Sequence, residues 1–148
     1  MGVCPQFDLL WPQLTVEEHL LFYARLKGIP SSEIDKQVED AIAEVNLTPF
    51  RKFLSSSLSG GMKRRLSIAI SLVGDPQIVF LDEPSTGLDP DNRRQIWDVL
   101  VKCQEKRSLF LTTHIMEEAD ALCHRIGIIT HGTLRTVGNQ IRLKKDYG

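Results

Sequence analysis

The 148-residue sequence contains no Gly-Lys dipeptide. It therefore lacks the G-x-x-x-x-G-K-[ST] loop, in which backbone amides and a lysine hold the phosphates of a nucleotide. This absence excludes a self-contained phosphate site of that type within these residues.

Cysteine is also scarce. Cys4, Cys103 and Cys123 lie far apart and form no C-x-x-C pair. This pattern indicates neither a disulfide framework nor a zinc site, and it favours a reducing compartment.

The sequence has little net charge and no long apolar run. A formal net charge of −1 gives no general attraction for nucleic acid or anionic lipid. Short basic runs at 63–65 and 142–145 are typical of solvated helix faces. No apolar run approaches the roughly 20 residues of a membrane helix, and the first residues do not resemble a signal peptide. If the protein serves a membrane, the spanning part lies elsewhere.

Residues 15–58 have the pattern of a mostly helical segment. Thr15 and Glu18 are spaced as a capping box, in which each side chain satisfies the other residue's backbone amide. The helix that they open is predicted to end near Gly28. Ser32 is predicted to open a second helix, because apolar residues recur at helical spacing after it.

After Ser59, predicted helices and strands alternate, which indicates an α/β domain with a parallel sheet. Continuous apolar runs at 78–81 and 109–113 predict strands that are buried on both faces. Helices are predicted over 60–73, 90–104 and 116–123. Strands at 126–130 and 133–137 are predicted to form a hairpin around His131-Gly132.

Two acidic residues, Asp82 and Glu83, follow the first of these strands. Open α/β sheets bind ligands at the carboxyl ends of their strands. There, one carboxylate can hold Mg²⁺ through its water shell and a neighbouring carboxylate can orient or deprotonate a water. The alternative is that Asp82 caps the next turn and Glu83 is simply exposed.

A second candidate site is Ser59-Gly60-Gly61 at a helix start. Glycines let backbone amides approach an anion, the helix start adds positive potential, and Lys63 and Arg64 strengthen that field. A glycine-rich turn with a serine cap is the alternative. His114, after the second strand, could donate to a phosphate oxygen or orient a catalytic carboxylate, although a lone histidine at a strand end is more often structural. Gln6 is a further candidate, and the alternative is that it is an ordinary loop residue between Pro5 and Phe7.

Taken together, these segments resemble an ATP-binding-cassette (ABC) domain. "LSGGM" resembles the family signature, with Met62 where glutamine is more usual, and "IVFLDEP" resembles Walker B. "STGLDP" resembles the D-loop, "LTTH" the histidine switch, and Gln6 the glutamine of the Q-loop. Further stretches, such as "GVCPQFDLLWPQLTVEEHLLFYARLKG", resemble the A subfamily of eukaryotic ABC transporters, whose known members mostly move lipids.

The resemblance implies a partial P-loop NTPase of the ABC ATPase type, an α/β fold in three layers with a helical subdomain. It divides the chain into a Q-loop end of the core (1–14), the helical subdomain (15–58), the RecA-like core (59–138) and a helical tail (139–148). The family's phosphate loop and its strand lie upstream of the position of Gln6. The chain is therefore expected to be an amino-truncated fragment without the Walker A strand and loop. Because that strand is central in the family's sheet, we expect free edges beside 78–81 and 109–113.

The resemblance also implies a set of site residues with ATP and Mg²⁺ as cofactors. For the domain's own nucleotide, Glu83 is the water-polarising base and His114 contacts the γ-phosphate. Gln6 senses the γ-phosphate, and Asp82 and Gln6 serve Mg²⁺ partly through water. The residues that face the nucleotide of a partner cassette are Ser59, Gly60, Gly61 and Met62, with Asp89 at the interface.

The implied partners are a second ATP-binding cassette and the transmembrane domains of a transporter, at the cytosolic face of a membrane. Apolar residues near the helical segment either face such a partner or pack within that segment; they are Leu10, Trp11, Leu14 and Phe22. No nucleic-acid partner is expected. Two alternatives stay open. One is a soluble ABC ATPase, which the neutral charge and the short insert disfavour. The other is an inactive truncated product.

Overall fold

The computed structural model describes residues 1–147 and divides the chain into two compact units, of which the first ends at Thr112 and the second begins at Thr113. Gly148, the last residue of the predicted helical tail, lies outside the described residues. The four-part division given above stays a prediction.

The first unit contains a parallel sheet of three strands. They are β1 (Gly2–Cys4), β2 (Ile78–Asp82) and β3 (Ser108–Thr112), in the order β1-β2-β3. Both neighbouring pairs are parallel. The predicted α/β class with a parallel sheet is therefore confirmed.

The remaining elements of the two units follow in chain order. The first unit also has helices α1 (Val16–Leu26), α2 (Ser31–Glu44), α3 (Gly60–Leu72) and α4 (Pro90–Gln104), with short 3-10 helices at Thr48–Phe50 and Ser55–Ser57. The second unit has α5 (Met116–Leu122), β4 (Ile126–Thr130), β5 (Thr133–Gly138) and α6 (Gln140–Tyr147).

The prediction that the sheet strands are buried on both faces is wrong. Val79 and Leu81 are buried, whereas Ile78 is 43% and Phe80 42% exposed. Successive side chains of a strand point to opposite faces. In the first unit, α3 packs against β1 and α4 against β3. The Cβ position of Gly2, which is in register with Val79, lies against Ser71 of α3. The opposite face presents Phe80 and the neighbouring Phe110, whose rings stack with centroids 5.3 Å apart.

The expectation of a free edge holds for only one of the two strands. β2 is paired along both edges, with β1 on one side and β3 on the other. Among the described residues, β3 has a neighbouring strand on one side only.

The helix signals of the sequence are mostly confirmed. Thr15 and Glu18 form the predicted capping box, and α1 ends one residue before its C-cap Lys27, followed by Gly28 with φ 74°. The start of α2 differs, because this helix begins at Ser31 after Pro30 and not at Ser32. Its first turn has no side-chain cap.

The hairpin of the second unit is also confirmed. β4 and β5 are antiparallel, and His131 and Gly132 between them have φ values of 49° and 71°. Positive φ at both central residues is the geometry of the type I′ turn, which is common in two-residue hairpins. At the start of α6, the Gln140 side-chain amide donates to the carbonyl oxygens of Asp120 and Cys123 at 2.5 and 3.1 Å.

All three cysteines are free thiols. Burial raises the pKa of Cys4 and of Cys103 to about 11, so both stay protonated near neutral pH. Within residues 1–147, none of the helices combines the length and the apolar character needed to cross a bilayer.

Candidate functional site

The two candidate carboxylates lie where β2 ends, and the neighbouring strand holds them. The Glu83 amide donates to the carbonyl oxygen of Thr112 at 3.0 Å and to its Oγ1 at 3.1 Å. The Thr112 hydroxyl in turn donates to Asp82 Oδ1 at 2.5 Å. The last residue of β3 thus fixes the backbone of one acid and the side chain of the other.

Glu83 has an unusual backbone conformation. Its φ is 46°, in the left-handed region, which costs a non-glycine residue about 1–3 kcal/mol. The Thr86 hydroxyl donates to Glu83 Oε2 at 3.0 Å, which orients the half-buried side chain. A carboxylate held in this way at a strand end is typical of a functional position.

Gln6 lies at the same end of the sheet as the two acids. Cys4 is in register with Leu81 in the parallel pair of β1 and β2. Gln6 follows Cys4 by two residues, as Glu83 follows Leu81, and its side chain is exposed. The fold therefore brings Gln6, Asp82 and Glu83 to the ends of adjacent strands.

The predicted anion site at the start of α3 forms as a capped helix. Ser59 is the N-cap and its hydroxyl accepts from the Met62 amide at 3.2 Å. A Cβ added at Gly60 would meet nothing within 4 Å, so this glycine borders open space. A Cβ at Gly61 would lie 2.1 Å from Asn92 Oδ1, so this glycine allows α3 and α4 to approach closely.

Asp89 caps the start of α4 next to that contact. Its carboxylate accepts from the Asn92 amide at 3.2 Å and from Asn92 Nδ2 at 2.5 Å. The hydrogen bonds from the Asn92 side chain and backbone lower the pKa of Asp89. Because Asn92 also contacts Gly61, two helix N-termini lie side by side, and both favour anions.

Arg64 is buried, contrary to expectation. It was expected to add positive potential to the anion site and to lie on a solvated helix face. The residue is 5% exposed, and its guanidinium donates to the ends of β1 and β2. The positive charge of Arg64 therefore faces acceptors within the first unit and not an anion at the start of α3.

Arg65 is also buried, contrary to the same expectation, and it donates to the carbonyl oxygens of Val45 and Asn46 after α2. The spacing of residues along α3 indicates that Arg64 is buried. Arg64 lies three residues after Gly61 and four residues before Ile68, so all three residues share the helix face that packs inward.

His114 follows β3 by two residues and belongs to the second unit. Its side chain is exposed, in the bend before α5. Its relation to Glu83 stays a prediction.

The oxygen-bearing residues at the ends of β1 and β2 suit Mg²⁺, which prefers oxygen ligands and keeps several waters. Thr112 occupies one oxygen of Asp82, and the residue is exposed. Among residues 1–147, no group of three or more His, Cys, Asp or Glu side chains is placed to enclose a metal ion. The site thus fits a metal held largely by water and by a bound ligand.

Comparisons with known proteins agree with these observations. The family model described as ABC transporter matches residues 1–86. Over all 148 residues the chain is 55% identical to ABC transporter A family member 2 and 53% identical to A family member 9, both of Arabidopsis thaliana. The chain covers 15% and 16% of the lengths of these two relatives.

Proposed function

Because the chain belongs to the ABC transporter family, with A-family members among its relatives, we propose that it forms part of an ATP-binding cassette. This cassette couples ATP binding and hydrolysis to transport across a membrane. The observation that carries the proposal is the alignment of Gln6, Asp82 and Glu83 at adjacent strand ends, with both acids tied to Thr112.

In this proposal Glu83 polarises the water that attacks the γ-phosphate. The left-handed backbone and the bond from Thr86 support this role, because both limit where the carboxylate points. Asp82 and Gln6 would hold Mg²⁺, in part through water, and His114 would contact the γ-phosphate. When bound, the metal would supply positive charge that offsets the charge of the phosphates.

Ser59, Gly60 and Met62 face the γ-phosphate of ATP held by a second cassette, with Asp89 at the interface between the two. The adjacent N-termini of α3 and α4 and the open space beside Gly60 support this assignment. Gly61 serves the same site indirectly, because its lack of a side chain lets α4 approach.

We propose that the phosphate loop comes from residues other than these 148. The sheet supports this proposal. Among the described residues, one edge of β3 has no neighbouring strand, so a further strand could pair there. On this basis the 148-residue chain alone neither binds nor hydrolyses ATP.

The helical segment 15–58 contacts the transmembrane domains at the cytosolic face of the membrane, and the transported substrate is a lipid. The substrate class rests on the resemblance to the A subfamily alone. Two exposed aromatic side chains support the proposed contact with the transmembrane domains. Trp11 is 42% and Phe22 44% exposed, and their ring centroids lie 5.0 Å apart.

Replacing the proposed base tests this function. In the full-length transporter, Glu83→Gln keeps the size of the side chain but removes its ability to accept a proton. We expect kcat for ATP hydrolysis to fall by about 10²- to 10⁴-fold. Glu105→Gln, an exposed position after α4, is the matched control and should keep wild-type turnover. Unchanged turnover in Glu83→Gln would remove Glu83 from this role.

A further inference from the structure

We propose that Arg64, in helix α3, is a positioning residue. Its side chain anchors two segments to α3: the loop that contains Gln6, and the backbone of Asp82 and Glu83. This inference rests on the proposed function for its catalytic meaning. Its structural part stands on the contacts of Arg64 alone.

Arg64 holds the backbone around the two acids. Its Nε donates to the carbonyl oxygen of Pro84 at 2.7 Å. Its Nη2 donates to the carbonyl oxygens of Asp82 and Glu83 at 3.1 and 3.3 Å. The carbonyl groups of the last residue of β2 and of the two residues that follow therefore accept from one guanidinium.

The same side chain holds the loop after β1. Arg64 Nη1 donates to the carbonyl oxygens of Pro5 and Gln6 at 2.7 and 3.0 Å, and to Asp8 Oδ1 at 3.2 Å. The hydroxyl of Ser67, one turn further along α3, donates to the same Asp8 oxygen at 2.8 Å. The Gln6 loop is thus attached to α3 at several points.

A lysine cannot replace this arrangement. The planar guanidinium has five N–H donors in a fixed fork, and here they contact six acceptors in two loops. Lysine offers one nitrogen with three donors and reaches only one of the loops at a time. Arg64 is 5% exposed and Pro84 is buried, so water has little access to the Pro84 carbonyl oxygen if lysine leaves it unpaired.

The hydrogen bonds of Arg64 connect two proposed nucleotide sites, because Arg64 lies on the same helix as the residues at the start of α3. Ser59 and Gly60 at the start of α3 face the partner's nucleotide in the proposed function, and Arg64 lies in the next turn of that helix. Arg64 therefore joins the part of the chain that serves the partner's site to the residues that serve the chain's own site.

Hydrogen–deuterium exchange of the full-length transporter tests the structural part. In Arg64→Lys we expect the hydrogen-bonded amides of Glu83 and Thr86 to exchange at least about tenfold faster, because the segment after β2 loses its anchor. Amides in 66–72 of α3 should keep wild-type exchange, which shows that the fold is intact. Arg65→Lys is the matched control, since this buried arginine of the same helix donates to the carbonyl oxygens of Val45 and Asn46 instead. Ser67→Ala, which removes a bond to Asp8 alone, should leave the exchange of Glu83 and Thr86 unchanged.

ATP turnover of the full-length transporter tests the catalytic part. A small displacement of Glu83 and Gln6 should lower kcat about ten- to hundredfold in Arg64→Lys. KM for ATP should stay within about twofold, because Arg64 does not touch the nucleotide; a change in KM alone would contradict a positioning role. Arg65→Lys should keep wild-type kcat.

The two experiments separate the inference from the proposed function. Wild-type exchange of the Glu83 and Thr86 amides in Arg64→Lys, or wild-type kcat, would overturn the role of Arg64. If Glu83→Gln keeps full turnover, the proposed function fails, and the exchange comparison still decides whether Arg64 fixes the segment after β2.

Discussion

Gly60 and Gly61 are neighbours at the start of α3, yet the structure gives them different reasons to be glycine. Gly60 borders open space, whereas Gly61 lies against the side chain of Asn92. The first glycine therefore keeps a surface accessible, and the second allows two helices to pack.

This difference predicts opposite effects of the same substitution. Gly61→Ala would place a methyl group 2.1 Å from Asn92 Oδ1, so α3 and α4 must shift. We expect the free energy of unfolding to fall by about 1–3 kcal/mol in urea denaturation. Gly60→Ala should leave stability unchanged or slightly higher, because alanine favours helix. Equal stability of the two variants would contradict the packing role of Gly61.

At the scale of elements, α1 and α2 begin in different ways. Thr15 and Glu18 satisfy each other's amides at the start of α1, at 3.1 and 2.7 Å. α2 begins after Pro30, with no side-chain hydrogen bond at its cap. The stability of α1 therefore depends on a side chain at its N-terminus, and that of α2 does not.

Two alanine substitutions compare the helix starts. Thr15→Ala should lower the free energy of unfolding by about 1 kcal/mol, because the Glu18 amide loses its acceptor. Ser32→Ala, in the first turn of α2, should be neutral within about 0.5 kcal/mol. Thermal or urea denaturation followed by circular dichroism measures both. A neutral Thr15→Ala would show that tertiary contacts alone hold the start of α1.

The sequence predicts these elements well where the signal is local. The capping box of Thr15, the start of α4 at Pro90 and the hairpin turn at His131 each depend on residues close together in the chain, and the structure has all three. Asp82 and Glu83 were predicted for the same reason, since they directly follow an apolar run, whereas Gln6 was predicted from the resemblance to the ABC family. Asp82 and Gln6 lie at the same edge of the sheet because the adjacent parallel strands β1 and β2 end there.

The sequence fails where burial depends on distant residues. An apolar run such as 78–81 does not show which face a neighbouring layer covers, so the exposure of Phe80 was missed. Arg64 was assigned to the surface because its partners, such as Pro5 and Pro84, lie far away in the chain. Backbone carbonyl acceptors leave no pattern in a sequence.

At the scale of the whole molecule, one face of the parallel sheet is uncovered in the described chain. Val3, Phe80 and Phe110 lie opposite one another in register across the three strands, and they are 56%, 42% and 55% exposed. A row of exposed apolar side chains beside a strand edge is typical of a surface that another element covers. This face and the missing phosphate loop both support the proposal that the ATP site is completed by residues other than these 148.

Titration calorimetry with Mg-ATP tests this claim most directly. The 148-residue chain and the full-length transporter, both with Glu83→Gln to prevent turnover, are titrated side by side. We expect saturable binding to the full-length protein and no binding heat from the 148-residue chain, because its sequence contains no G-x-x-x-x-G-K-[ST] motif. Tight one-to-one binding of Mg-ATP by the 148-residue chain alone would contradict the claim.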